Sequence, residues 1–98
     1  MSTYLIEFSF TQKGVENIKE SPARFEAAKR MIREQGGEVL AFYASMGSEF
    51  DTLFIMEAPD EKKAGEMALA IAKQGYVRTR THRLFDDNEF KTLLDQLR

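Results

Sequence analysis

The 98-residue chain has no cysteine, a single histidine and only two prolines. Without cysteine there can be no disulfide, thiolate metal site or thiol nucleophile, which fits a reducing compartment. With one histidine, His82, a mononuclear zinc centre is short of its usual three or four ligands. A basic excess is missing as well: 14 Lys and Arg stand against 16 Asp and Glu, for a net charge of -2. Nucleic-acid binders draw affinity from a basic surface that displaces phosphate counterions, so neither DNA nor RNA is expected as a partner. No apolar run approaches the roughly 20 residues that cross a bilayer. The start, Met1-Ser2-Thr3-Tyr4, lacks the basic and apolar regions of a secretory signal. The expected setting is cytoplasmic, with no membrane partner.

What remains is an ordinary globular composition, 43% hydrophobic and 31% charged, with eight phenylalanines that can dominate a core or an interface. The length suits a single domain spanning residues 1–98. A chain this small buries only about two-thirds of its unfolded surface, so further burial against a partner has value.

Tyr4, Ile6, Phe8 and Phe10 alternate with Glu7 and Ser9, the period of a half-buried strand. Thr11-Gln12-Lys13-Gly14 turns the chain and lacks the glycine run and Gly-Lys-Ser/Thr ending of a phosphate loop. A helical turn is expected over Val15 to Lys19. Ser21-Pro22 then starts a helix, with serine expected to accept the free N–H groups. Its buried stripe is Phe25, Ala28, Met31 and Ile32, and Gly36-Gly37 ends it. A hairpin follows, with Val39 to Met46 and Thr52 to Glu57 as strands and a turn at Gly47 to Asp51. Asp60 caps a second helix buried through Ala64, Met67, Ala68, Ile71 and Ala72 and stopped by Gly75. Tyr76 to Phe85 is a fourth strand. Asp86 and Glu89 form a capping box ahead of Phe90, Leu93, Leu94 and Leu97, which predicts a short C-terminal helix docked by one face.

The order βαββαβ within 98 residues predicts an α+β, ferredoxin-like domain: an antiparallel sheet with both main helices on one face and an extra C-terminal helix. Right-handed crossovers place the first and third strands centrally, with the fourth beside the first. The other sheet face stays open. It is expected to be covered by a second copy, giving a homodimeric α/β barrel with room for higher assembly, or by the C-terminal helix. The third strand lacks the glycine and paired aromatics of the ferredoxin-like RNA-binding module.

Candidate chemistry is sparse. If Val77 faces the helices, then Arg78, Arg80 and His82 share the open face with Glu7, and such a cluster can bind a small anion or carboxylate. The same residues also serve an edge strand guarded by charge, or a structural ion-pair network. Glu57, Asp60 and Glu61 sit where a helix N-terminus favours negative charge, so no metal or cofactor is expected. At the hairpin, Gly47 supplies a positive φ, Asp51 bonds turn N–H groups, and Phe50 covers the core.

These pieces in order resemble the GYD-domain family, named for a Gly-Tyr-Asp motif. They are Phe10-Thr11-x-x-Gly14, Lys19-Glu20-Ser21-Pro22 with Arg24, Gly36-Gly37, Gly47 to Asp51, Glu57-Ala58-Pro59-Asp60, and Val77-Arg78-Thr79-x-Thr81. Phe50 stands where the motif has tyrosine, and the segment is one residue longer. The resemblance implies a dimeric α/β barrel and carries no activity with it. Three functions follow as expectations. The first is a small-ligand-binding or oligomerisation module. The second is a dimeric-barrel isomerase or monooxygenase, with Glu7, His82 and the arginines lining its pocket. The third is an amino-acid-sensing domain that binds effectors near the Gly14 loop and at the interface.

Overall fold

The structure, a computed structural model, describes residues 1–97. Its four strands are β1 (Ser2–Phe10), β2 (Glu38–Ala44), β3 (Thr52–Ala58) and β4 (Val77–Leu84). Its helices are α1 (Gln12–Glu16), α2 (Ser21–Glu34), α3 (Glu61–Ala72) and α4 (Asp87–Asp95), with a 3-10 turn at Ile18–Glu20. The sheet is antiparallel in the order β2-β3-β1-β4, the expected ferredoxin-like arrangement with β1 and β3 inside.

Strand alternation decides which side chains meet the helices. Tyr4, Ile6 and Phe8 from β1, Phe54, Met56 and Ala58 from β3, and Val77 from β4 are buried with Phe25, Ala28 and Ile32 of α2 and Ala64, Met67 and Ile71 of α3. Phe8, Phe25 and Phe54 pack with ring centroids 5.0 to 5.7 Å apart in tilted and edge-on contacts, and Phe42 joins them at 5.2 Å from Phe25. Phe42 reaches this face because β2 bulges between Val39 and Ala41. Val39 pairs with Met56 and Phe42 with Phe54 on the helix side, while Ala41 and Tyr43 pair with Ile55 and Leu53 on the other.

Two caps differ from expectation. Ser21 does not accept helix N–H groups; its hydroxyl donates to the carbonyl of Ile18, because the 3-10 turn runs directly into α2 and supplies that end itself. The position before α2 is Glu20, which makes no side-chain cap, whereas α1 is capped by Thr11, accepting from Gly14 N at 3.1 Å. Gly14 is pressed against β4: a Cβ there would lie 2.0 Å from the Tyr76 carbonyl oxygen, so no larger residue fits without movement. Tyr76 is in turn flanked by Lys13 and Arg24, 4.3 and 4.0 Å from its ring centre.

The C-terminal helix overturns its expected docking. The capping box forms as read, with Asp86 and Glu89 each accepting the other's backbone N–H. Yet no residue of α4 is buried, and Phe90, Leu93 and Leu94 are about half exposed. The reason is Arg83, which faces the helix side of β4 opposite Tyr4. It donates to Glu89 at 2.7 Å and lies 4.0 Å from Glu61, fixing α4 at the sheet's end instead of across a face. The Glu89 bond raises the guanidinium pKa, and the Arg83 bond, with the Asp86 N–H, lowers that of Glu89.

The protruding helix stretches the molecule to 51 Å and its radius of gyration to 14.6 Å, against about 13 Å for a compact chain of this length. The chain exposes 6703 Å². A compact monomer of its mass exposes roughly 5,700 Å². Uncovered apolar groups lie along α4 and at Tyr43, with Leu5, Leu53 and Ile55 half-buried on the open sheet face.

Candidate functional site

Glu7 lies on the open face in the middle of β1, between Leu53 of β3 and Arg80 of β4. Its neighbours leave its side chain only 16% exposed. Its Oε1 is 3.0 Å from Nε2 of His82, which pairs with Leu5 and so reaches it diagonally. The same oxygen is 4.0 Å from Nε of Arg80. Val77 is buried on the helix side, and this parity sends Arg78, Arg80 and His82 to the open face beside Glu7. Three of the four residues therefore meet as one polar group around the Glu7 carboxylate. Arg78 sits one step farther along, opposite Ser9, and among the described residues it makes no ion pair with Glu7.

The hairpin turn joins this group, although the two sets lie far apart in sequence. Gly47 has φ +84°, the left-handed conformation expected there. The chain then folds across the end of β1. Ser9 Oγ donates to the Glu49 carbonyl at 3.5 Å, and Ser48 Oγ lies 2.8 Å from Ser45 Oγ and donates to the Phe50 carbonyl at 3.0 Å. Glu7, Ser9, Arg80, Ser48, Glu49 and Phe50 together line a cleft of about 220 Å³.

Two hairpin expectations are corrected here. The Asp51 side chain bonds β1 and not the turn: its Oδ2 accepts from Phe10 N and its N–H donates to the Phe8 carbonyl, both at 2.8 Å, while its carbonyl closes the turn by accepting from Ser45 N. Phe50 lines the cleft on the open side and does not cover the core. Ser9, Ser48 and Glu49 were not among the expected site residues. Ser9 could have been found, since it shares the parity of Glu7 in β1. Ser48 and Glu49 carried no local signal, because only the fold-back of the turn brings them to the strand.

The cavity beneath the Gly14 loop, bounded by Phe10, Arg24, Tyr76 and Val77, holds about 20 Å³, enough for a water and not for an amino acid. A wider, open groove of about 430 Å³ adjoins it between Asn17, Arg24, Gln74 and Tyr76. Among the described residues, no three His, Asp or Glu side chains gather in a geometry that could hold a metal. Asp60 instead caps α3, its Oδ1 accepting from Lys63 N at 2.9 Å. Among the described residues, no helix is long and apolar enough to cross a membrane.

Residues 4–94 match the family described as the GYD domain. A protein of Thermus thermophilus named glutamine synthetase and cystathionine beta-lyase binding protein is 30% identical over 82 residues, covering 83% of this chain and 85% of its own. Among solved structures, the feast or famine regulatory protein of M. tuberculosis complexed with L-methionine superposes with a TM-score of 0.66 at 16% identity over 88% of this chain. The leucine response regulatory protein of Mycobacterium tuberculosis gives 0.61 at 16% identity over 87%. This chain spans about half the length of each, 51%. At that identity the likeness is one of fold.

Proposed function

The chain belongs to the GYD-domain family, and on that premise we propose that it is a non-catalytic binding module. In this reading it is a cytoplasmic homodimer paired through its open sheet faces, and it docks onto an enzyme of amino-acid metabolism. The observation that carries it is the surface excess. The chain exposes 6703 Å². That is roughly 1,000 Å² more than a compact monomer of its mass, and one partner in a stable interface contributes about 800 Å².

The placement of that surface supports two contacts. The open face offers Leu5, Leu53, Ile55 and Tyr43, a flat apolar area suited to a second sheet. Helix α4 presents Phe90, Leu93 and Leu94 away from the body on a rigid anchor, as a helix seated in a partner's groove would require. The enzyme partner is inferred from the Thermus thermophilus relative, whose name states that it binds glutamine synthetase and cystathionine beta-lyase. The open-face charges fit binding better than turnover: among the described residues His82 bonds only Glu7, and no nucleophile is set against it.

Light scattering and immobilised-enzyme binding test this reading. The expected mass is twice 11.3 kDa or a multiple of that, with saturable binding to a glutamine synthetase or a cystathionine beta-lyase from the same cell. A monomer at micromolar concentration that binds neither enzyme would refute it.

A further inference from the structure

The cleft beside Glu7 has a composition that selects its ligand. Arg80 Nε lies 4.0 Å from Glu7 Oε1, and its side chain is 68% exposed, so the guanidinium is open to a ligand as a planar set of donors. Arg78, two residues along the same face, adds positive charge to that side. Glu7 is engaged among the described residues through Oε1 alone, which leaves Oε2 to accept a donor. Ser9 and Ser48 place hydroxyl groups on the wall, Phe50 provides an apolar one, and Glu49 adds a second acidic residue.

A simple anion would bring its charge against Glu7 and Glu49, and a simple cation would meet the arginines. A molecule carrying both signs a few ångströms apart satisfies both sides. The volume of about 220 Å³ is below the range of roughly 300 to 1,000 Å³ typical of drug-sized ligands and suits a small molecule. The geometry points to a binding site for a free α-amino acid. Its carboxylate is taken by the Arg80 guanidinium with Arg78 alongside, its ammonium group by Glu7, and its side chain lies along Phe50. Glu7 is largely withdrawn from water, and this strengthens its pairing with the ammonium group relative to a surface contact. Every group comes from one chain, so the site goes beyond the docking role above; it lies on the open face that the proposed dimer covers, so pairing of those faces would bring a second copy over it.

Amide NMR titration of the full chain tests it, using each of the twenty L-amino acids, with sodium acetate and methylammonium chloride as half-ligands. At least one amino acid should shift the Ser9, Ser48 and Glu49 amides saturably, at least about tenfold more tightly than either half-ligand. Arg80→Met and Glu7→Gln should each weaken that binding about tenfold or more while leaving the rest of the spectrum in place. If no amino acid gives saturable shifts, if acetate binds equally well, or if Arg80→Met leaves the affinity unchanged, the inference falls. Mass measurements on the same samples report separately on assembly.

Discussion

Asp51 and Phe10, 41 positions apart in sequence, are joined by a 2.8 Å hydrogen bond from the Phe10 N–H to the Asp51 carboxylate. With the Asp51 N–H bonded to the Phe8 carbonyl, the aspartate extends the β1–β3 ladder one step beyond Thr52 using its side chain. That clamp draws the hairpin turn across Ser9 and forms the cleft. The residue most readily read as a turn former is thus the link between the turn and the candidate site.

Asp51→Ala should therefore lower stability by about 0.5 to 1.5 kcal/mol, since water can take the place of the lost acceptor at this exposed bond. Asp51→Asn, which keeps an oxygen, should cost less. Urea unfolding measures both, and the Phe10 amide should exchange faster in the alanine variant. An unchanged Phe10 amide would mean that the clamp does not hold the turn.

Gly14→Ala should be more disruptive than its size suggests. The added methyl meets the Tyr76 carbonyl at 2.0 Å, against backbone that cannot rotate aside. Overpacking of this kind costs about 1 to 3 kcal/mol. Gly65→Ala is the control, because a Cβ there meets nothing within 4 Å in the middle of α3. It should be neutral or stabilising, by up to about 1 kcal/mol from helix propensity. Thermal melts of the two variants should move in opposite directions.

Ile55→Asp places a charge at the centre of the open face, where Ile55 pairs with Leu5 and Ala41. The fold of one chain should survive, because Ile55 faces away from the helices. The dimer should not, since an unpaired buried charge opposes association. Circular dichroism unchanged from the parent, with the scattering mass halved, is the expected pair of results. A mass that stays at the dimer value would move the interface off this face.

The Arg83–Glu89 pair makes the setting of α4 depend on pH. Glu89 titrates below its ordinary value, chiefly through the bond from Arg83 and next through the Asp86 N–H. A carboxylate lowered in this way contributes fully above its unfolded value and loses that contribution as pH falls through the lowered one. The α4 Cα chemical shifts should thus hold steady at neutral pH and lose helical character only in acid, below the usual carboxylate range. Arg83→Met should move that loss to higher pH. Coincident curves for the two proteins would remove Arg83 as the anchor.

Most of the architecture was legible in the sequence because its signals are local or periodic. The alternation of Tyr4, Ile6 and Phe8 marks β1, and the spacing of Phe25, Ala28 and Ile32 marks the buried stripe of α2. The two capping aspartates, Asp60 and Asp86, mark where α3 and α4 begin. The meeting of Glu7 with Arg80 and His82 followed from parity once Val77 was assigned to the helix side. Two features depended on contacts that no local pattern records. Helix α4 has the periodicity of a docked helix, but periodicity shows only that an apolar face exists, and Arg83 holds that face clear of its own domain. The cleft required Ser48 and Glu49 to fold back over Ser9, a long-range consequence of the Asp51 clamp. Phe50, read as core, points the other way for the same reason.

The bulge in β2 bears on how this family's chains can differ in length. Inserting or deleting a residue in a regular strand turns every later side chain to the opposite face. Here Leu40 is itself the additional residue: without it, Val39 and Phe42 still point to the helices, and Ala41 and Tyr43 still point away. β2 thus contains one position where the strand can shorten without reorganising the core. What would be lost is an exposed leucine on the outermost strand and the extra twist that keeps that edge from pairing with a stray strand. Relatives one residue shorter at this point are expected to fold alike and to differ in how readily they aggregate.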